Sequence, residues 1–216
     1  MKTRSRLEKI APVTEYQPFP NEEGRNTRQA QLEIPAMVRA LGIPSGARIL
    51  EVGCGRGIAL PVLERLCNPR RLVGLDVDPE LLAEAAANLR KHGSTAELYT
   101  ADVRQMPFAA ESFDVIIDFG TLFHIARPQA AAAEIARILA PGGMFVHETK
   151  ASQLLSHPVR SRGRRLPRLE HDGLRHRRWA MLWASHTKGR LPEDLAQPRG
   201  RIRRGQVESR GRVGTF

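Results

Sequence analysis

A short apolar strand that leads into three alternating glycines, and then into a helix, constrains the fold of this chain more than any other feature. The predicted strand covers Arg48–Val52, and Gly53, Gly55 and Gly57 follow it at alternate positions. Glycine adopts backbone dihedrals that are closed to other residues, and its missing side chain lets the main chain approach a ligand closely. The apolar pattern then predicts a helix from Ile58 to Leu66. Together these features predict a ligand-binding turn between a strand and a helix.

The spacing of the glycines excludes two common phosphate-binding loops. A dinucleotide-binding fingerprint, G-x-G-x-x-G, requires its third glycine at position 58, where this chain has Ile58. The phosphate loop of nucleoside triphosphatases ends in Lys followed by Ser or Thr, and no such pair follows these glycines. The turn therefore favours a ligand without a pyrophosphate group. An acidic residue, Glu51, lies just before it.

Predicted strands and helices alternate along the chain on both sides of this turn. Such alternation favours right-handed crossovers and a mainly parallel sheet, and the apolar run 115–117 is typical of a strand covered on both faces. The sequence therefore predicts an α/β protein. The other predicted strands are Leu72–Leu75, Ala96–Thr100, Phe113–Asp118 and Met144–Glu148, and the other predicted helices are Gln29–Leu41, Pro79–His92 and Pro128–Leu139.

Two aspartates follow neighbouring predicted strands. Asp76 closes the second strand, and Asp102 comes directly after the third. The carboxyl ends of parallel strands meet at one edge of the sheet, where open α/β folds bind their ligands. A carboxylate at the position of Asp76 is suited to accept hydrogen bonds from the hydroxyls of a ribose. We expect both aspartates to converge with the glycine turn on one nucleoside.

Five segments in this order resemble the motifs of class I S-adenosylmethionine-dependent methyltransferases, especially the small-molecule type described as methyltransferase 11-like. The segments are ILEVGCGRG, GLDVDP, ADVRQMPF, FDVIIDFGTLFHI and LAPGGMF, and the resemblance covers residues 46–148. It implies a Rossmann-like three-layer sandwich with a mainly parallel, seven-stranded sheet whose last strand is antiparallel. It also implies S-adenosyl-L-methionine as methyl donor, with S-adenosyl-L-homocysteine as product.

The resemblance implies cofactor-binding roles for residues at four strand ends. The methionine part would be bound by the turn, and Asp76 would bind the ribose hydroxyls. Asp102 would accept a hydrogen bond from the adenine amino group, and His124 is the candidate catalytic base. Phe123 stands where many relatives have the first histidine of an LHH-like stretch. The full implied set is Glu51, Gly53, Gly55, Gly57, Asp76, Val77, Asp102, Val103, Phe119 and Gly120, without a metal ligand.

Other polar and thiol groups receive no chemical role from the sequence. Cys54 is interpreted as a small residue tolerated in the turn, and Asp114 and Asp118 as solvated charges at the ends of a strand. Neither Cys54 nor Cys67 belongs to a metal-ligand pair or a disulfide framework. These features favour a reducing, cytoplasmic environment, and no apolar run is long enough to span a membrane.

The charge of the chain divides it into regions. Its formal net charge is +11, but residues 1–150 carry 18 basic and 18 acidic residues, so the whole excess lies in residues 151–216. Composition predicts a flexible N-terminal arm (1–27) and a basic, disordered tail (188–216), and the resemblance implies a methyltransferase domain over residues 28–187. A final strand pair is predicted at Leu166–Glu170 and Trp179–Ser185.

Two function classes remain open at this point. The first is a methyltransferase for a small-molecule acceptor. The second is an RNA-associated methyltransferase, or an inactive cofactor-binding protein, that uses the basic C-terminal third to hold phosphates. The segment 118–121, Asp-Phe-Gly-Thr, lacks the Asn/Asp-Pro-Pro-aromatic sequence typical of enzymes that methylate the amino groups of bases, and the arginines lack interleaved aromatics. The sequence therefore favours the small-molecule class, and it indicates neither the acceptor nor the oligomeric state.

Overall fold

The strands form a single sheet in the computed structural model, which describes residues 22–148, 183–187 and 213–214. The sheet order is β3-β2-β1-β4-β5-β6-β7. The first five strands are parallel to their neighbours, and β6 is antiparallel to both β5 and β7. The strands are β1 (Arg48–Val52), β2 (Arg71–Asp76), β3 (Glu97–Thr100), β4 (Phe113–Asp118), β5 (Leu139–Glu148), β6 (Trp183–Thr187) and β7 (Val213–Gly214).

The helices begin and end at residues suited to those positions. In the fourth helix, the side chain of Asp78 accepts the N–H groups of Glu80 and Leu81, Pro79 occupies the first turn, and Gly93 ends the helix with φ +64°. Proline is tolerated in the first turn of a helix because the backbone N–H that it lacks would have no hydrogen-bond partner there. The helices are α1 (Glu22–Arg28), a π-helix (Gln29–Glu33), α2 (Ile34–Leu41), α3 (Leu60–Cys67), α4 (Pro79–His92), a 3-10 helix (Thr121–Phe123) and α5 (Pro128–Ile138).

The strand register brings the carboxyl ends of the parallel strands together at one edge. Asp76 is level with Thr100, and Asp118 is level with both Val52 and His147. The chain leaves β1 toward β2 on one side and returns to β4 on the other, so the order reverses beside β1. Crevices that bind ligands in open α/β sheets form at such a reversal.

Two apolar clusters cover the faces of the sheet and give the protein three layers. One cluster packs α2, α3 and α4 against one face, with Ile34, Met37 and Leu63 fully buried. The other packs α5 and the segment 103–108 against the opposite face, with Phe113 and Ile135 fully buried. The predicted fold class, a Rossmann-like α/β sandwich with a mainly parallel sheet, is confirmed.

The number of strands and several boundaries differ from the prediction. Five strands make up the parallel sheet, and the predicted seven is reached only with the five-residue β6 and the two-residue β7. The helical region begins at Glu22 rather than Gln29, and β5 begins at Leu139 rather than Met144. The Pro-Gly-Gly segment expected to be a turn lies within β5, where the pairing with β4 shifts register.

The C-terminal predictions overlap the described residues only in part. The strand predicted from Trp179 to Ser185 is found at Trp183–Thr187. Its predicted partner, Leu166–Glu170, lies outside the described residues. Val213–Gly214, within the region assigned to the tail, pairs with β6. In the described part of the chain, no helix combines the length and the apolar character of a membrane span.

Candidate functional site

The glycine turn connects β1 to α3, and its three glycines face different surroundings. A Cβ on Gly53 would lie 1.8 Å from Oγ1 of Thr121, in the loop after β4. A Cβ on Gly57 would lie 3.1 Å from that of Ala85 in α4. Of the three, Gly55 alone has no atom within 4 Å of such a Cβ, and its φ is +50°. Gly53 and Gly57 therefore allow close packing, and Gly55 is the glycine best placed to meet a ligand.

Asp76 connects the end of β2 to this turn. Its Oδ2 accepts the N–H of Gly55 at 2.8 Å, and its Oδ1 accepts the N–H of Asp78 at 3.0 Å. A carboxylate offers about four acceptor positions, so about two stay open after these bonds. The next residue, Val77, is 39% exposed. The end of β2 thus offers spare acceptor capacity beside an exposed apolar side chain, and the ribose and adenine roles of these residues stay predictions.

Asp102 lies at the neighbouring strand end, but its carboxylate is already engaged. The N–H of Ala101 donates to the Asp76 carbonyl at 2.9 Å, which brings the two strand ends together. Arg104 donates to Asp102 from Nε, at 2.9 and 3.0 Å to the two oxygens, and from Nη2 at 2.7 Å. Burial works to raise the pKa of Asp102, but the hydrogen bonds and charge of Arg104 outweigh it and lower the pKa. Val103 beside it is buried in the core.

Asp118 organises the loop after β4, and the prediction that it is a solvated charge is wrong. The side chain is 0% exposed. Its Oδ1 accepts the N–H groups of Gly120 at 3.0 Å and Thr121 at 2.6 Å, and its Oδ2 accepts that of Leu122 at 3.4 Å. Burial raises the pKa of Asp118 to about 7, although these hydrogen bonds oppose the rise. Asp114, at the other end of β4, is instead paired with Arg48.

The same loop is joined to the glycine turn. Oγ1 of Thr121 donates to the carbonyl of Val52 at 3.2 Å, directly before Gly53. Phe119 is half-buried against the α2–α4 side of the core, and Gly120 is buried with φ +108°. Phe119 and Gly120 therefore lie at the end of β4 beside the turn, as predicted.

Glu51 presents a buried carboxylate whose hydrogen-bonding capacity is incomplete. It is 4% exposed, and its Oε2 has no hydrogen-bond partner among the described residues. Burial, reinforced by the charges of Asp76 and Asp118, raises the pKa of Glu51 well above its usual range. A buried acceptor without a partner is costly, so a cationic or N–H group supplied by a ligand would satisfy this atom.

Two further candidates from the sequence are His124 and Cys54. The backbone N–H of His124 donates to the carbonyl of Thr121 at 2.9 Å, and its half-buried side chain does not line the cavity described below. Cys54 is buried, and burial raises its pKa, so its thiol is not an activated nucleophile. Within the described residues, no group of three or more His, Cys, Asp or Glu side chains is arranged to hold a metal ion.

A cavity of about 100 Å³ opens at the glycine turn. Glu51, Gly53 and Phe119 line one part of it, and Arg25 and Gln29 of the N-terminal helices line another. The full lining is Arg25, Asn26, Gln29, Glu51, Gly53, Cys54, Arg56, Ile58, Ala59 and Phe119.

The sequence pattern does not identify three residues around the site. A strand pattern predicts a surface charge at Asp118, because it does not indicate which carboxylate will accept backbone N–H groups. The pattern at Gln29 predicts only the start of a helix, although the residue is 8% exposed beside the cavity. Gly74 within β2 gave one usable signal, since a glycine inside a strand often marks a close approach. A Cβ there would lie 2.9 Å from Sγ of Cys54.

Part of the chain is similar to known methyltransferases. Residues 50–147 match the family model described as "Methyltransferase domain". Over 120 residues the chain is 29% identical to a phosphatidylethanolamine N-methyltransferase from Cereibacter sphaeroides, which covers 55% of this chain and 54% of that protein. Over 104 residues it is 30% identical to a ubiquinone biosynthesis O-methyltransferase from Cereibacter sphaeroides, with 48% and 41% covered.

A solved structure shares the fold. The crystal structure of a SAM-dependent methyltransferase from Aquifex aeolicus superposes with a TM-score of 0.53 at 20% identity, over 60% of this chain and 72% of that one. The chain spans about half the length, or less, of the two curated relatives named above.

The parallel sheet and the acid-lined edge at its reversal define an open α/β domain with a candidate ligand site. More narrowly, residues 50–147 resemble a methyltransferase domain, and the Aquifex aeolicus structure shares the fold.

Proposed function

We propose that this protein transfers a methyl group from S-adenosyl-L-methionine to a small-molecule acceptor. The observation that carries the proposal is the position of Asp76. Its carboxylate accepts the N–H of Gly55 at 2.8 Å and keeps acceptor positions free at the edge of the sheet. A ribose diol bound there would lie directly beside the glycine turn.

The charges around the turn suit the cofactor. S-adenosylmethionine carries a positive sulfonium and a positive ammonium group, and it supplies an electrophilic methyl group when bound. Glu51 and Asp118 are buried carboxylates beside this edge, and the pKa of each is raised by burial. A nearby cation favours the ionised form of a carboxylate and so lowers its pKa. The orphaned Oε2 of Glu51 is a fitting partner for an ammonium group.

For methyl transfer, these residues need to position the reacting groups more than to transfer protons. Gly53 lets the β4 loop close on the turn, and Phe119 and Gly120 would border the reacting methyl group. Correct positioning alone supplies as much as about 7–11 kcal/mol in favourable reactions. His124 is the candidate base for a hydroxyl or amine acceptor, where general base catalysis adds about 10²–10⁴-fold.

The small-molecule acceptor is supported by the β4 segment and by the relatives. Segment 118–121 lacks the sequence typical of enzymes that methylate base amino groups. The two curated relatives named above carry names that specify a phospholipid and a quinone pathway. A methyl acceptor of lipid or quinone type is therefore the class to test first.

Calorimetric titration with S-adenosylmethionine and S-adenosylhomocysteine tests the proposal. We expect both to bind the wild type, and Asp76→Ala to weaken binding by about 100-fold, because two hydrogen bonds to a charged group are worth about 3 kcal/mol. Asp114→Ala is the matched control, since Asp114 lies at the opposite end of β4 in a pair with Arg48. Binding of NAD instead, or of neither adenosine ligand, would overturn the proposal.

A further inference from the structure

The loop after β4, residues 119–127, is held near both of its ends by carboxylates. Near its start, the carboxylate of Asp118 accepts three backbone N–H groups of the loop. Near its end, Nη1 of Arg104 donates to the carbonyl of Ala126 at 3.1 Å. Arg104 is itself paired with Asp102. Asp118 therefore holds the loop directly, and Asp102 holds it through Arg104.

The guanidinium of Arg104 joins the segment after β3 to the segment before α5. Its Nε and Nη2 donate to Asp102, and its Nη1 donates to the carbonyl of Ala126. The side chain of Arg104 is 10% exposed and that of Asp102 17% exposed, so the pair is largely shielded from water. A guanidinium carries several donors in fixed directions and can bind a carboxylate and a carbonyl together. The compact ammonium of lysine does not reproduce this geometry.

The backbone is strained where the loop meets α5. Arg127 has φ +56°, which residues other than glycine rarely adopt. Its carbonyl accepts the N–H of Ala130 in the first turn of the helix. Strained conformations persist where the surrounding contacts enforce them, and they cluster at functional sites. The hydrogen bond from Arg104 to Ala126, directly before Arg127, is such a contact, so the end of the loop depends on Arg104.

Asp102 can accept a ligand group without losing Arg104. Nε of Arg104 is shared between the two carboxylate oxygens, at 2.9 and 3.0 Å, so one acceptor position can pass to an adenine amino group while the pair stays formed. A bound adenine would also exclude water from the pair, and charges attract more strongly where water is excluded. A firmer pair would hold the carbonyl of Ala126 more firmly.

We propose that Arg104 is a positioning residue that couples nucleoside binding at Asp102 to the order of the loop after β4. The inference rests on the proposed function, in which the same loop borders the reacting methyl group and carries His124, the candidate base. Bound cofactor thereby tightens the acceptor side of the site from its adenine end. The acceptor side is then most ordered when the methyl donor is in place.

Hydrogen exchange with two matched ligands tests the proposal in the wild type. S-adenosylhomocysteine and S-inosylhomocysteine share the ribose, the thioether and the amino acid, but the second has a carbonyl oxygen in place of the purine amino group. Each is added at a saturating concentration fixed by calorimetry. We expect S-adenosylhomocysteine to slow exchange of the backbone amides of residues 124–127 by about tenfold, as for one hydrogen bond to a charged group, and S-inosylhomocysteine by less than about threefold. The amides of residues 120–122, which Asp118 holds, should respond equally to both ligands.

Arg104→Lys tests whether the guanidinium carries the coupling. Lysine keeps a positive charge for Asp102 but does not also hold the carbonyl of Ala126. We expect this variant still to bind S-adenosylhomocysteine, and the bound ligand no longer to slow exchange at residues 124–127. A residue with a merely structural role would change the exchange of the free protein and leave its response to the ligand intact.

Arg137→Lys is the matched control. Arg137 of α5 likewise pairs with a carboxylate, that of Glu134, and donates to the carbonyls of Met106 and Phe108. Its replacement should speed exchange in segment 106–108 and leave the ligand response of residues 124–127 unchanged. Thermal unfolding verifies that each variant is folded. If Arg104→Lys does not fold, the comparison of the two ligands in the wild type decides.

The outcomes distinguish this inference from the proposed function. Equal protection of residues 124–127 by the two ligands, protection by neither, or protection retained in Arg104→Lys would overturn the coupling while cofactor binding still stood. If S-inosylhomocysteine does not bind, the comparison of wild type with Arg104→Lys decides. If S-adenosylhomocysteine does not bind the wild type, the proposed function itself fails. Protection that requires both the adenine amino group and Arg104 supports the inference.

Discussion

Replacing Gly53 by alanine should destabilise the protein strongly, because the new methyl group has no room. An ideal Cβ at this position would lie 1.8 Å from Oγ1 of Thr121 and 2.7 Å from both its Cβ and Cγ2. The backbone at Gly53 also has φ +64°, which L-residues rarely adopt. Thr121 cannot move away freely, because its N–H is bonded to Asp118 and its Oγ1 to the carbonyl of Val52.

The size of the effect follows from two contributions. A left-handed conformation costs an L-residue about 1–2 kcal/mol, and an extra methyl group forced into a packed site costs about 1–3 kcal/mol. The free energy of unfolding should therefore fall by about 2–5 kcal/mol, which lowers the melting temperature by on the order of 10 °C in a protein of this size.

Gly55→Ala provides the matched control for backbone strain. Its φ is +50°, and no atom lies within 4 Å of a Cβ there. We expect a loss of only about 1–2 kcal/mol from strain. Thermal and urea unfolding of the two variants, measured side by side, isolates the contribution of the clash.

A double-mutant cycle with Thr121→Gly identifies the partner in the clash. Because Thr121→Gly removes the three atoms nearest to the new Cβ of Gly53→Ala, the double variant should recover about 1–3 kcal/mol relative to additivity. If Gly53→Ala lowers the free energy of unfolding no more than Gly55→Ala does, or if the cycle shows no coupling, the glycine turn and the loop after β4 are not in close contact.

Three further variants test the charges and the loops. Burial and nearby carboxylates raise the pKa of Glu51 in the folded protein, so its contribution to stability is lost as pH rises above the ordinary pKa of 4.5. Glu51→Gln should therefore have a higher melting temperature than the wild type at pH 8. An equally large difference in melting temperature near pH 4.5 would contradict this. Asp102→Asn should weaken S-adenosylhomocysteine less than Asp76→Ala in calorimetry, since the Asp102 oxygens are already bonded within the protein; a larger loss would reverse the two roles. Arg137→Met removes hydrogen bonds to two carbonyls of segment 106–108 and should lower the free energy of unfolding by about 1–3 kcal/mol. Hydrogen exchange of the backbone amides in that segment should become faster. Unchanged exchange would show that these hydrogen bonds do not hold the segment in place.

The sequence predicted those parts of the site that depend on local pattern. The end of β1, the glycine turn and Asp76 follow from apolar runs and glycine spacing, and a parallel sheet then brings their carboxyl ends together. Asp76 and Gly55 are 21 positions apart in the chain and are joined by one hydrogen bond. Asp102 was placed at the correct strand end, but its pairing with Arg104 depends on a side-chain conformation that spacing does not specify.

The remaining features depend on tertiary packing. The first 27 residues are polar and contain several prolines and glycines, so their composition concealed α1. The Pro-Gly-Gly segment has turn chemistry, yet β4 pairs across it and includes it in β5 as a register shift. Gln29 and Asp118 became recognisable only when the fold buried them, because a polar residue in a helix or at a strand end is ordinarily solvated.

The hydrogen bonds of Asp118 have a consequence for protein engineering. One buried carboxylate fixes the peptide groups of Gly120, Thr121 and Leu122, so under the proposed function the backbone beside the transferred methyl group would be set by a residue that need not touch the acceptor. A library aimed at new acceptors should therefore vary Phe119 and leave Asp118 unchanged. Randomising both together would remove the scaffold on which any new pocket has to be built.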